Sequence, residues 1–284
     1  MLARSLVIAA LGVAACDAGP VPIPDTCNGH VELCDRRVDE VAFATTHNAM
    51  SNAEDGWLHP NQELTIRHQL ERGVRGLMLD VHPFEDGGVV ASYLCHAICQ
   101  LGKVPLADGL RPIREFLDRN RGEVVAIIFE SYVDAPEIAA GFAASGLDRY
   151  AHAHVAGTPW PTLRELIDAD ERLLVFTDRD GGAYPWYMDV WAEAWETPFA
   201  ALTTADFTCA MGRGSAANPL FIFNHFLTDT FAIPDQAATV NADPFLLDRA
   251  RSCMAASGRQ PNFVTVDFAA TGDLQAAVDA LNGF

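Results

Sequence analysis

The chain has 284 residues, 50% of them hydrophobic, so it can bury one substantial core, and nothing in its length requires a second domain. Its formal charge of −19 and the absence of any basic run exclude nucleic-acid binding, and exclude adhesion to anionic membranes by charge alone. An acidic protein that handles a phosphate needs a local positive element, either Arg and Lys side chains or a bound cation.

Residues 1–15 carry Arg4 and then an apolar run from Leu6 to Ala15, too short to span a bilayer and suited to a signal peptide, so export is expected. The run ends Val13-Ala14-Ala15-Cys16, which resembles a bacterial lipobox, where the cysteine is lipidated and anchors the mature chain to a membrane of the cell envelope. Ordinary cleavage after Ala15, giving a secreted protein, is the alternative. The seven cysteines favour lipidation, because an odd number suits an oxidising compartment poorly, and assigning Cys16 to a lipid leaves Cys27, Cys34, Cys95, Cys99, Cys209 and Cys253 to pair completely. Close spacing favours Cys27 with Cys34 and Cys95 with Cys99, leaving Cys209 for Cys253. A zinc site is the weaker reading, since neither spacing is a CxxC knuckle.

Asp17 to Thr26, with three prolines and no apolar periodicity, reads as a flexible tether, so 16–26 link anchor to domain and 27–284 form a single folded domain. Short β-branched runs then alternate with helical periodicity, the pattern of βα units around a parallel sheet. The predicted strands are Val41 to Thr45, Gly76 to Val81, Val89 to Leu94, Val124 to Phe129, Leu173 to Thr177, Leu220 to Asn224 and Phe263 to Phe268, with an eighth expected within 145–160 or 183–210. The predicted helices are Thr65 to Arg72, Leu110 to Arg119, Pro136 to Ala144, Thr162 to Ala169, Pro244 to Ala256 and Leu274 to Leu281.

A doubly wound sheet would alternate similarly, but no GxGxxG or Walker-type loop follows the first strand. Polar side chains instead sit in or just after nearly every strand: Thr46-His47-Asn48, Asp80, Cys95-His96, Glu130, Asp178, Asn224-His225 and Asp267. In a βα barrel those ends converge at one mouth. The expected fold is therefore α/β, a TIM-type (β/α) barrel, irregular or incompletely closed.

The segment Ala44-Thr45-Thr46-His47-Asn48-Ala49-Met50 resembles the first histidine motif of the phosphatidylinositol-specific phospholipase C X-domain family. The resemblance continues in order through Gly73 to Asp80 (GVRGLMLD), Leu94-Cys95-His96 and Val124 to Glu130 (VVAIIFE), and is weaker beyond, where it rests on Asn262 to Phe268. It implies an exported phosphodiesterase cleaving a phosphatidylinositol-type phospholipid to diacylglycerol and a cyclic phosphate, with His47 as base and His96 as acid. Imidazole can serve in either role near neutral pH. One branch of the family uses Ca²⁺ and another places an arginine where this chain has Asp80. The acidic residue points to Ca²⁺ held by Asn48, Asp80 and Glu130, all hard oxygen donors, with Mg²⁺ as the alternative. Met78 departs from the pattern, standing where the calcium branch has a carboxylate. Asp267 resembles a last-strand carboxylate that orients the base histidine.

The stretch Pro185-Trp186-Tyr187-Met188 to Trp191 and Trp195 reads either as lining of the mouth or as packing, and packing is favoured. His59, His82 and His225 stand near the motifs without a family role. Two other functions remain in view. A glycerophosphodiesterase or sphingomyelinase D-like enzyme would share the barrel but want a Glu at Met78, and a non-catalytic anchored lipid- or glycan-binding barrel would fit the missing ligand there. A monomer is expected.

Overall fold

The computed structural model describes residues 22–229 and 231–284. The expected signal peptide at 1–15, Cys16 and the first part of the expected tether lie outside them. The rest of that tether is not free. Ile23 packs on the core, and the carbonyls of Pro24 and Asp25 accept from Arg164 Nη2 at 3.1 and 2.9 Å. Proline holds the backbone extended and its carbonyls exposed, and a guanidinium on the domain satisfies two of them.

In chain order the elements are β1 (Phe43–Thr46), α1 (Ile66–Glu71), β2 (Gly76–Asp86), β3 (Val89–Leu94), β4 (Val104–Pro105), α2 (Leu106–Arg119), β5 (Val125–Ser131), α3 (Ala135–Ser145), α4 (Leu163–Asp168), β6 (Leu173–Thr177), β7 (Tyr187–Asp189), α5 (Val190–Glu193), β8 (Ala194–Glu196), β9 (Leu220–Asn224), β10 (Thr228–Asp229), β11 (Phe231–Ala232), α6 (Pro234–Val240), α7 (Phe245–Ser257), β12 (Phe263–Val266) and α8 (Leu274–Asn282). Capping fixes several helix starts. Thr65 Oγ1 accepts from His68 N, while Asp134 with Glu137 and Thr162 with Glu165 form capping boxes.

The parallel strands run in the order β7-β6-β5-β2-β1-β12-β9-β8, curling into a barrel that stays open between β7 and β8. A single helical turn, α5, joins those two strands. The barrel strands are buried on both faces. Phe43, Ala126, Ile128, Leu174, Phe176, Met188, Ala194, Leu220, Ile222 and Phe263 fill the inside, while the alternate residues pack outward on the helices, for example Leu77, Leu79, Ile127 and Val175 against α1, α2 and α3. Burial on both faces is why these strands read as continuous apolar runs. The N-terminal segment closes the bottom: Cys27, Leu33 and Val38 join the inner core, and Asn28 bonds both N and O of Val124 at the start of β5.

Two expectations about strands need correction. Val89 to Leu94 is not a barrel strand. It is β3, antiparallel to the outer half of β2 (Val81↔Leu94 to Asp86↔Val89), after a turn at Gly87-Gly88, both at positive φ. A two-glycine connection holds strands antiparallel, because a parallel return needs a crossover of about a dozen residues. Within 183–210 lie two barrel strands, β7 and β8, where one was expected, and together they bring the parallel set among the described residues to eight. The cysteines pair as their spacing predicted, Cys27–Cys34, Cys95–Cys99 and Cys209–Cys253, which removes the zinc reading.

Candidate active site

Side chains alternate along a strand, so a residue two positions beyond an inward-facing core residue also faces inward, one layer nearer the mouth. His47 lies two beyond Thr45, Asp80 beyond Met78, Glu130 beyond Ile128, Asp178 beyond Phe176, Glu196 beyond Ala194, Asn224 beyond Ile222 and Asp267 beyond Thr265. The register sets them side by side: Asp80 faces Glu130 across β2 and β5, and Thr45 faces Thr265 across β1 and β12. The result is a polar ring over the apolar interior, around a solvent-open cavity of about 540 Å³ lined by His47, Met78, Asp80, Glu130, Asp178 and Glu196 among others.

His47 is held from several sides. Its Nδ1 lies 2.9 Å from Asp267 Oδ1, its ring stacks on Phe226 at 3.9 Å, and its carbonyl accepts from Gln62 Nε2 at 2.7 Å. Asp267 Oδ1 also accepts from Asn61 Nδ2 at 3.1 Å. Asn48 adopts the left-handed region at φ 47°, which its short amide tolerates. In the amide orientation that satisfies both ends, Asn48 Nδ2 donates to the two Asp80 carboxylate oxygens at 3.0 and 3.1 Å. Its oxygen then faces His47 Nε2 at 3.1 Å and His96 Nε2 at 3.3 Å; turned over, the amide donates Nδ2 to His47 Nε2 at 3.1 Å, the pairing that suits a His47 protonated at Nδ1, and its oxygen lies on the Asp80 side. The two imidazole centroids stand 6.4 Å apart.

His96 reaches the mouth by a different route from the one its sequence position implied. It sits on the short loop between β3 and β4, closed by the Cys95–Cys99 disulfide and anchored where Cys95 N donates to Asp80 O at 3.3 Å. Burial, and then the neighbouring His47, hold its imidazole below the usual range. It borders a second, more apolar cleft of about 600 Å³ with Trp57, Leu58, Ile98 and Phe231. The two histidines thus line two different clefts, that of His96 being the more apolar.

Asp80 is 7% exposed. Burial pushes its carboxyl well above the ordinary range, and the charges of Glu130 and Asp178 push the same way. Glu130 accepts from the Tyr132 hydroxyl, whose ring stacks on His82 at 4.1 Å. Asp178 Oδ1 accepts from Ser131 N at 2.9 Å. Met78 packs partly on the inner core and brings no oxygen to this arc. Asn48, Asp80 and the two histidines therefore come together, with Glu130 beside Asp80.

Several members of the ring carried no assignment in sequence. Glu196, 1% exposed, binds Arg213 Nε at 2.5 Å and Asn224 Nδ2 at 2.9 Å. Arg213 was discoverable only as the lone Lys or Arg between Arg179 and Arg249. The aromatic stretch divides: Tyr187 and Trp195 are buried packing, the latter stacked on Phe221 at 3.9 Å, and Trp191 lines the cavity. His225 is fully buried, bonded to Val240 O and Arg249, and stands outside the site. His59 lines the second cleft, stacked on Phe231.

Known proteins share this arrangement of chain and fold. The family model described as PI-PLC X 1 matches residues 33–282. A protein of Arthroderma benhamiae named PI-PLC X domain-containing protein 1 is 31% identical over 278 residues, covering 90% of this chain and 89% of that protein. A second protein of that organism, named an uncharacterized secreted protein, is 28% identical, and this chain spans 62% of its length. Among solved structures, phosphatidylinositol-specific phospholipase C of Staphylococcus aureus superposes with a TM-score of 0.59 at 13% identity, over 89% of this chain and 96% of that one, a likeness of fold. With the family model running from the N-terminal cap to the last helix of the barrel, the chain belongs to the PI-PLC X domain family.

Proposed function

We infer that this protein is an exported phosphodiesterase that cleaves phosphatidylinositol-type phospholipids by acid–base catalysis between His47 and His96. The observation that carries the reading is the pair of imidazoles 6.4 Å apart, one on the cavity ringed by carboxylates and one on a more apolar cleft. His47 takes the proton of the inositol 2-hydroxyl, whose oxygen then attacks phosphorus. His96 protonates the departing diacylglycerol oxygen on the side that suits acyl chains. The second product is inositol 1,2-cyclic phosphate. Asp267 fixes the tautomer and orientation of His47.

The donor set fits a hard cation. Asp80 and Glu130 offer carboxylate oxygens, Asn48 offers its amide oxygen in the orientation in which Nδ2 donates to His47 Nε2, and Asp80 is a buried carboxyl crowded by Glu130 and Asp178. Among the described residues no three His, Cys, Asp or Glu side chains are grouped as a metal site, so water and substrate oxygens complete the shell in this reading. Bound Ca²⁺ supplies positive charge for the phosphate oxygens as negative charge builds on them. Export follows from the same reading, with residues 1–15 as signal peptide and Cys16 as the lipid anchor. The three disulfides and the relative named as secreted support the export part.

The test is a panel of phosphatidylinositol, phosphatidylcholine, sphingomyelin and glycerophosphodiesters, with and without a calcium chelator, products being read by phosphorus NMR. Phosphatidylinositol should yield a cyclic phosphate, the chelator should suppress it, and His47→Ala should slow it about 10²–10⁴-fold. Full activity of the His47→Ala protein, or turnover confined to the other lipids, overturns the reading.

A further inference from the structure

Asp80, Glu130 and Asp178 make one arc of the cavity acidic, and Arg213 is the only Arg or Lys among the described residues lining it. Its loop follows β8 and folds back along it, with Glu196 N donating to Arg213 O at 3.1 Å and Gly212 N to Glu196 O at 2.7 Å. Gly214, at φ +84°, permits that approach, since a Cβ there would meet Ala194 O at 2.3 Å. The Cys209–Cys253 disulfide ties the same loop to α7.

The guanidinium is oriented by its surroundings. Trp191 and Phe199 place rings 4.5 and 4.6 Å from its carbon. One edge is used, Nε donating to buried Glu196. The other edge, Nη1 and Nη2, makes no hydrogen bond to any described residue. A fork of N–H donors locked in place with its outer edge open matches two oxygens of a phosphate, a geometry that lysine cannot offer. Its charge reaches Asp178, where it opposes the upward push of burial. Between β8 and β1 in the sheet lie β9 and β12, so Arg213 stands across the mouth from His47.

We propose that the free Nη edge of Arg213 is an oxyanion-binding group of this cavity and takes a substrate phosphate, either the scissile diester or a second phosphate on the head group. This rests on the cavity being the substrate site, as in the reading above. Glu196, Trp191 and Phe199 are positioning residues for it.

The test titrates the full-chain protein with inorganic phosphate and with myo-inositol 1-phosphate by calorimetry, for the wild type, R213K, R213Q and the double variant R213Q/E196Q, which leaves no buried carboxylate unpaired. Binding of at least one ligand should weaken about 10- to 100-fold in R213Q and R213Q/E196Q, with R213K between, and with the double variant's melting temperature unchanged. Turnover separates the sources. Loss of kcat/KM confined to phosphorylated phosphatidylinositol identifies a second head-group phosphate, and equal loss on phosphatidylinositol itself identifies the scissile diester. Arg213-dependent phosphate binding in a protein that cleaves none of these lipids would sink the proposed reaction and keep this site. No binding by the wild type, or equal binding by all four proteins, would reduce Arg213 to a partner of Glu196 and overturn the proposal.

Discussion

His47 Nδ1 lies 2.9 Å from Asp267 Oδ1 although 220 residues separate them, because β1 and β12 are register neighbours and each side chain stands two positions beyond a paired threonine. Asp267 Oδ2 is buried without a hydrogen-bond partner among the described residues, so the carboxylate is committed to its other oxygen, which Asn61 and His47 share. Asp267→Asn keeps the shape and removes the charge that selects the Nδ1–H tautomer. Turnover of phosphatidylinositol should fall about 10²–10⁴-fold with KM little changed. Steady-state kinetics across pH 5–9 check this, and near-wild-type kcat would show that the contact does not serve the base.

The two disulfides of the mouth should separate function from stability. Cys95–Cys99 closes a separation of 4 residues and holds His96, whereas Cys209–Cys253 closes 44. Loop-closure entropy makes the longer one worth about 2 kcal/mol more to stability. The Cys95→Ser/Cys99→Ser protein should lose turnover with a small change in denaturation midpoint, and Cys209→Ser/Cys253→Ser should lose more stability. Urea titration with activity assays on both variants decides it.

Glu193 on α5 should make stability fall with rising pH. Burial first, then the charge of Asp189, pushes its carboxyl up to about 7, from an ordinary value of 4.5. Its Oε2 has no hydrogen-bond partner among the described residues, and His154, 3.8 Å away, is itself held below its usual range by burial and offers no settled positive charge near pH 7. The folded state therefore binds the proton more tightly than the unfolded state. This contribution is complete below pH 4.5 and is lost as pH rises through about 7. Glu193→Gln should raise stability at pH 8 by on the order of 2–3 kcal/mol and leave it unchanged at pH 4. Calorimetric melting at the two pH values checks the sign.

Gly76 opens β2 where its backbone passes over Thr45: an added Cβ would meet Thr45 Oγ1 at 2.2 Å and Cγ2 at 2.8 Å. Thr45 is fully buried in the neighbouring strand and has no room to turn away. Gly76→Ala should cost about 1–3 kcal/mol of stability, measured by chemical denaturation, and a Gly76→Ala/Thr45→Ala protein should recover part of it.

The strands that the sequence discloses are those long enough to show a continuous apolar run: β5, β6, β9, β12 and the first half of β2 are buried on both faces, and each ends near a polar residue that turned out to face the mouth. β7 and β8, with 3 residues each, carry no periodicity, and their aromatic neighbours hide them. β3 has the composition of a barrel strand, yet Val89 and Val90 are exposed, and Gly87-Gly88 was the local sign that the chain doubles back there.

The sequence by itself determined the family, the barrel class, the disulfide pairs and the identity of His47, His96, Asn48, Asp80, Glu130 and Asp267 as candidates, because each of these is written in local motifs, spacing or apolar runs. Tertiary structure decided what surrounds them. Register and the alternation of side chains seat His47 beside Asp267, a hairpin brings His96 to the mouth, and the curl of the sheet sets Glu196 and Arg213 across the cavity from the histidines. Contacts between residues this far apart in the chain depend on barrel curvature and strand order, which no short stretch of sequence encodes.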